Sequence, residues 1–227
     1  GSVWPGRAGR GGEYPSAMDL DALKQRICAA VDARAAILVE ASHAIHDDPE
    51  LAFDEHRAHD LLTSIIEAEG IPVERSAFGL PTAFAARVGD QGPTVAVLCE
   101  YDALPGIGHA CGHNIIAAAS LGAGLAAATV AHETGGQLLL LGTPAEEVGG
   151  GKIVMADNGA LDDVDVAMMV HPAAADLRGM DTLAIHQLRV DYTGVAAHAA
   201  AFPHEGRNAL DAAVLGYNNV AALRQHI

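Results

Sequence analysis

The chain has 227 residues, half of them hydrophobic, and 13 lysines and arginines against 29 aspartates and glutamates give a formal net charge of −16. Duplex DNA and anionic membranes are excluded as main partners, because both are polyanions that need basic patches, and the hydrophobic share excludes a disordered acidic tail. Three cysteines are too few for a disulfide framework, so a reducing, cytoplasmic setting is expected.

Residues 1–17 (GSVWPGRAGRGGEYPSA) lack periodicity and the apolar stretch of a signal peptide, and read as a disordered leader. Residues 19–46 set charges at helical intervals among Ala, Leu and Ile and predict a helix. Asp47-Asp48-Pro49 ends it, since proline disfavours helix in the residue before it. A second helix is expected over 54–69, closed by Gly70. Strands are expected at Thr82 to Val88 and, more strongly, at Thr94 to Cys99 (TVAVLC), Gln137 to Leu141 (QLLLL) and Val164 to Val170 (VDVAMMV). Ile115 to Ala131 is Ala-rich, falls just short of the ~20 residues of a membrane span, and reads as a buried helix. Continuous apolar strands alternating with helices imply an α/β fold with a mostly parallel sheet flanked by helices.

The pattern changes near residue 181. Leu183 to Tyr192 (LAIHQLRVDY) alternates like a half-exposed antiparallel strand, Gly194 marks a turn, and a helix is expected from about 209. The expected organisation is a first domain over 18–181 and a smaller one over 182–227. The final pattern, LDAAVLGYNNVAALRQHI, reaches Ile227 with no cap, so a fragment with both domains incomplete is expected.

Each strong strand runs into residues that can hold a metal. TVAVLC leads into Glu100 and Asp102 and then His109-Ala-Cys-Gly-His-Asn114; QLLLL leads into Glu146-Glu147; VDVAMMV leads into His171-Pro172. Open α/β sheets bind ligands at the carboxyl ends of their strands, so the three ends converge on one crevice. Cys111 and His113 suit zinc or a similar ion, with Gly112 allowing a tight turn between them and Asn114 able to cap the next helix. The alternatives are a buried cysteine beside a capping histidine, or a Cys111 nucleophile with His113 as base. Glu146 and Glu147 are either a solvated helix start or, beside a metal, one ligand and one general base. His171 reads as a ligand rather than a core histidine. Asp102 either orients a histidine ligand or is a turn residue before Pro105, and Glu100 has no firm role. His43, His46, His56 and His59 are expected on the surface.

The runs Leu98 to Asn114 (LCEYDALPGIGHACGHN) and Leu141 to Glu147 (LGTPAEE), with His171-Pro172, resemble the aminoacylase/carboxypeptidase-like amidohydrolases, the twentieth metallopeptidase family. The likeness is greatest to the branch of peptidase domain-containing protein 2, the β-alanyl-lysine dipeptidase type. Ala197 to Asn219 (AHAAAFPHEGRNALDAAVLGYNN) is similar to that branch too, so the resemblance runs from about residue 19 to the end. It implies a zinc-peptidase-like catalytic α/β domain over 18–181 and the start of an α+β lid or dimerisation domain over 182–227. It implies two divalent metal ions, zinc or manganese, with Cys111 bridging them and His113, Glu147 and His171 as further ligands. Glu146 would be the general base and acid, and His198 would polarise the scissile carbonyl, in the partner subunit's site if the lids pair. Asn208 is either a substrate-binding residue or a helix N-cap with Asp211 three residues on. The implied activity is hydrolysis of the amide bond of a dipeptide or small N-acyl amino acid by metal-activated water, in a homodimer joined through the lid. A further metal-binding histidine that the family carries near a C-terminal end has no counterpart here, and the rival reading is a catalytically incomplete fragment that only binds metal or dimerises.

Overall fold

The helical stretch from residue 19 onward forms two helices, α1 (Leu20–Asp32) and α2 (Ala35–Asp47). Asp19 caps α1 by accepting from the backbone N–H of Asp21 and Ala22. The break falls at Arg34, whose ψ of 3° leaves the helical range while its guanidinium reaches Glu69 at 2.6 Å and the Ala30 carbonyl at 2.8 Å. The computed structural model describes residues 19–179 and 188–226. The expected leader and residues 183–187 of the expected strand at 183–192 lie outside the described residues.

The next helix, α3 (His56–Ala68), buries Leu62, Ile65 and Ile66 and ends before Gly70, which sits at φ +80°. Its His59 is buried against Phe84 rather than exposed, with ring centroids 6.1 Å apart, because it lies on the same helix face as Leu62, Thr63 and Ile66; His43, His46 and His56 are exposed.

Among the described residues five strands follow: β1 (Val73–Arg75), β2 (Phe84–Val88), β3 (Thr94–Cys99), β4 (Gln137–Gly142) and β5 (Val166–Met168), in the sheet order β1-β2-β4-β3-β5. The three continuous apolar runs, β3, β4 and β5, are parallel, and β1 and β2 add an antiparallel edge. Successive leucines of β4 enter opposite cores. Leu138 and Leu140 pack with Leu62, Ile66, Leu121 and Leu125, while Leu139 and Leu141 pack with Ala85, Leu80 and Met155. That two-sided burial is why β4 reads as an unbroken apolar run, each leucine contributing about 1.5–3 kcal/mol. At the β5 edge Val166 and Met168 are exposed, since among the described residues β5 pairs with β3 alone.

Helix α4 (His113–Ala128) packs on the sheet, a short helix α5 spans Ala131–Thr134, and α6 spans Gly151–Asp157. The N-cap of α4 is Gly112, not Asn114; the Asn114 amide instead donates to Ser42 Oγ at 2.9 Å.

The chain divides into two compact units, Gly1–Asp176 and Leu177–Ile227. In the second, α7 (Ala209–Ala222) follows an isolated bridge between Val195 and Arg207. The described part of the expected strand, Leu188 to Tyr192, is not a strand: Leu188 and Val190 are exposed and have no pairing partner among the described residues. No helix of the described residues is long and apolar enough to cross a membrane.

Candidate metal centre

Strand register builds the site. Cys99, the last residue of β3, pairs with Gly142, the last of β4, and the Thr143 N–H continues the match by donating to the Cys99 carbonyl at 2.8 Å. The segments after both strands therefore leave the sheet at one level. Glu100 and Asp102 follow β3, Glu146 and Glu147 follow β4, His171 lies beyond β5, and His113 is the first residue of α4. Gly112 makes the turn between Cys111 and His113 at φ +85°, where a Cβ would also lie 2.9 Å from Pro172 Cγ.

His113 is wholly buried, and its Nδ1 lies 2.9 Å from the Asp102 carbonyl and 3.0 Å from Asp102 Oδ1. A backbone carbonyl only accepts, so Nδ1 carries the proton and donates. In the neutral ring Nε2 is then a bare lone pair. It faces Glu100 Oε2 at 3.3 Å, Glu147 Oε1 at 3.7 Å and Glu146 Oε2 at 3.8 Å. Asp102 does a second job, since its Oδ2 accepts the Glu147 N–H at 2.9 Å and so ties the β4 loop to the histidine. Burial alone would push the Asp102 carboxyl up, yet the His113 bond and the Glu147 and Glu146 N–H groups hold it below its ordinary value. Burial alone would lower His113, but Asp102, Glu100 and Glu147 raise it.

Cys111 Sγ lies 3.5 Å from His171 Nε2. Burial, then the neighbouring Glu147, Glu146 and Glu100, push its thiol up to about 12. A nucleophilic cysteine needs the opposite environment, so the Cys111–His113 nucleophile reading loses its support.

The donor set fits divalent metal. Sγ of Cys111 and nitrogens of His113 and His171 lie within 4.8 Å of one another, as do donor atoms of Glu100, His113 and Glu146. Two ligands of one tetrahedral ion, with bonds of about 2.0–2.3 Å, lie roughly 3.3–3.8 Å apart. The Cys111–His171 separation of 3.5 Å and the Glu100–His113 separation of 3.3 Å match such edges. His113 Nε2, Glu147 Oε1 and Glu100 Oε2 are buried without a hydrogen bond, which a protein tolerates where a cation completes them.

Of the residues singled out from sequence, Asp102, Cys111, His113, Glu146, Glu147 and His171 are thus gathered in the first unit. His198 and Asn208 belong to the second. His198 is exposed, and its Nδ1 accepts from the Ala200 and Ala201 N–H groups at 3.3 and 3.1 Å. Asn208 caps α7, its Oδ1 accepting from Leu210 and Asp211 at 3.0 and 3.4 Å.

Glu100, named after β3 without a firm role, lies beside His113 Nε2, and two residues escape sequence reasoning: Lys152, whose ammonium contacts Glu100 Oε1, and Glu55. Glu55 is wholly buried, and its Oε1 accepts from the Phe53 and Ala145 N–H groups at 3.0 and 2.9 Å, its Oε2 from Thr82 Oγ1 at 2.8 Å. Both backbone donors are non-glycine residues at positive φ, 68° for Phe53 and 58° for Ala145. Such backbone is held only by its surroundings, so Glu55 fixes the loop that aims Glu146 and Glu147.

Burial pushes the Glu55 carboxyl above its ordinary value despite those bonds. The folded state then binds this proton more tightly than the unfolded state, and stability falls as pH rises from the ordinary carboxylate range through the raised value. Glu55→Gln keeps both N–H bonds at Oε1, donates to the Thr82 hydroxyl and does not titrate. Urea unfolding across the acid-to-neutral range is expected to show that decline in the wild type and not in E55Q. Glu55→Ala orphans the two N–H groups and costs about 3 kcal/mol. Parallel pH profiles for wild type and E55Q contradict this account.

No family model matches the chain. It is 46% identical over 226 residues to a Mus musculus protein named Xaa-Arg dipeptidase, covering 93% of this chain and 52% of that one. It is 36% identical over 218 residues to one of the subunits of p-aminobenzoyl-glutamate hydrolase of Escherichia coli, covering 87% of this chain and 45% of that one. A crystal structure of the Bacillus subtilis YXEP protein, described as a dinuclear metal-binding peptidase from the M20 family, matches with a TM-score of 0.53 at 27% identity, over 57% of this chain and 40% of that one. The chain spans about half the length of the curated relatives it matches.

Proposed function

The chain belongs to the M20 amidohydrolases, matching their N-terminal part, and on that premise we propose that its metal centre serves a metal-dependent dipeptidase or amidohydrolase. The observation that carries the reading is His113 Nε2, buried without a hydrogen bond while Asp102 holds Nδ1, and facing the carboxylates of Glu100, Glu147 and Glu146.

Cys111, His113, Glu147 and His171 would hold two divalent ions. Bound ions would supply Lewis-acid polarisation of the amide carbonyl and make water more acidic. The sulfur ligand favours zinc over manganese. The chain's own groups do the rest. Asp102 fixes the His113 ring and, through the Glu147 N–H, the loop beside it. Glu146 is more exposed than Glu147, with side chains 43% and 17% accessible, so Glu146 meets incoming water and substrate. It takes a proton from the attacking water and returns it to the leaving amine. His198 is assigned to the scissile carbonyl. Asn208 is assigned to substrate through its Nδ2, its oxygen being engaged by α7.

The proposed organisation is a catalytic domain over 18–181 and a lid over 182–227 through which two copies pair. The proposed location is the cytoplasm, in keeping with the free thiols of Cys28, Cys99 and Cys111. The proposed substrates are dipeptides and small N-acyl amino acids. The name of the mouse relative and the net charge of −16 favour a basic C-terminal residue. Amino-acid release from a panel headed by β-alanyl-lysine and Xaa-Arg dipeptides, after loading with zinc or manganese, tests the reading. Release with either metal supports it. Metal uptake with no release from any member leaves the rival, a chain that binds metal without catalysis.

A further inference from the structure

We propose that Glu100 is itself a metal ligand, a fifth protein donor beside Cys111, His113, Glu147 and His171, held in place by Lys152. The inference rests on the metal-centre reading above and extends its ligand set.

Glu100 is 1% exposed at the end of β3, and a buried carboxylate needs its charge met on both oxygens. Lys152, the second residue of α6, meets Oε1. Oε2 has no hydrogen bond and lies 3.3 Å from His113 Nε2. Nδ1 of His113 is turned to Asp102, so Nε2 and Glu100 Oε2 face each other across that gap, both buried and neither hydrogen-bonded. One divalent cation within reach of both would satisfy the pair, and the donor atoms of Glu100, His113 and Glu146 lie within 4.8 Å of one another. The gap equals the edge of a tetrahedron with bonds of about 2.0–2.1 Å, the lengths of zinc–nitrogen and zinc–carboxylate bonds. Lys152 occupies the other oxygen, so Glu100 presents one atom to the site. Lys152 orients the ligand through its ion pair with Oε1.

The test is calorimetric zinc titration of the metal-free full chain, with circular dichroism as the fold control. Glu100→Gln removes the charge. Glu100→Asp keeps it but withdraws the oxygen by about one C–C bond, ~1.5 Å. Both are expected to weaken one zinc at least tenfold. A double variant, Glu100→Met with Lys152→Met, removes the pair together and leaves no buried orphan charge. It is expected to show the same loss, and it decides the matter if either single variant unfolds. Wild-type affinity in the double variant, or in E100D while E100Q is weakened, overturns the proposal, because Glu100 would then be a partner of Lys152 or act through its charge alone. Wild-type chain that takes up no zinc overturns the metal-centre reading together with this one.

Discussion

Glu146→Gln is expected to bind metal like the wild type and to hydrolyse about 10²–10⁴-fold more slowly, the usual worth of a positioned general base. The two glutamates after β4 are neighbours in sequence but not in environment. Glu147 is tied down by its own N–H to Asp102 Oδ2, and its Oε1 is buried without a hydrogen bond beside His113. Glu146 opens to solvent, with Oε2 3.8 Å from His113 Nε2. A ligand belongs in the first setting and a proton carrier in the second. Gln has the shape of Glu and no basic oxygen, so the substitution at 146 removes proton transfer alone. The matching change, Glu147→Gln, is expected to lose metal as well as turnover. Elemental analysis and turnover measured on both variants separate the roles. Turnover of E146Q above a tenth of wild type, or metal lost from E146Q but kept by E147Q, reverses the assignment.

The strands that carry the site are legible because each is buried on two faces or ends in residues with no place in a core. The four leucines 138–141 divide between two clusters, a pattern that only a central strand produces. Glu100 had a local signal as well: it follows β3 directly, two residues before Asp102, and both carboxylates face the His113 ring. Its neighbour Lys152 had none, since the loop and helix that bring it back are set by tertiary packing. Glu55 had none either. Its bond to Ala145 spans 90 residues, and nothing in the run around Glu55 distinguishes a loop-fixing acid from a helix-start acid. The break between α1 and α2 was hidden for a similar reason, because residues 33 and 34 continue the helical composition while Arg34 turns toward Glu69.

Removal of the metal is expected to cost the fold as well as the chemistry. Without a cation, Glu100, Glu146 and Glu147 crowd one imidazole nitrogen, and the Cys111 thiol is held neutral by burial and the same carboxylates. A divalent ion reverses both conditions. Binding to the folded chain alone stabilises by RT ln(1 + [L]/Kd), about 4 kcal/mol at a thousandfold excess of metal over Kd. For a chain of this length that is a Tm difference of about 8–16 °C between metal-saturated and chelator-treated protein. The metal-saturated sample is expected to contain close to two ions per chain by elemental analysis, and re-addition of zinc after removal of the chelator to restore the higher Tm. His113→Gln should abolish the difference, because Gln offers no nitrogen lone pair to the site and cannot be aimed by Asp102. Equal melting temperatures with and without chelator, at metal saturation, place the ion elsewhere. A difference that persists in H113Q does the same, and either result removes the premise on which the roles of Glu146 and Glu100 stand.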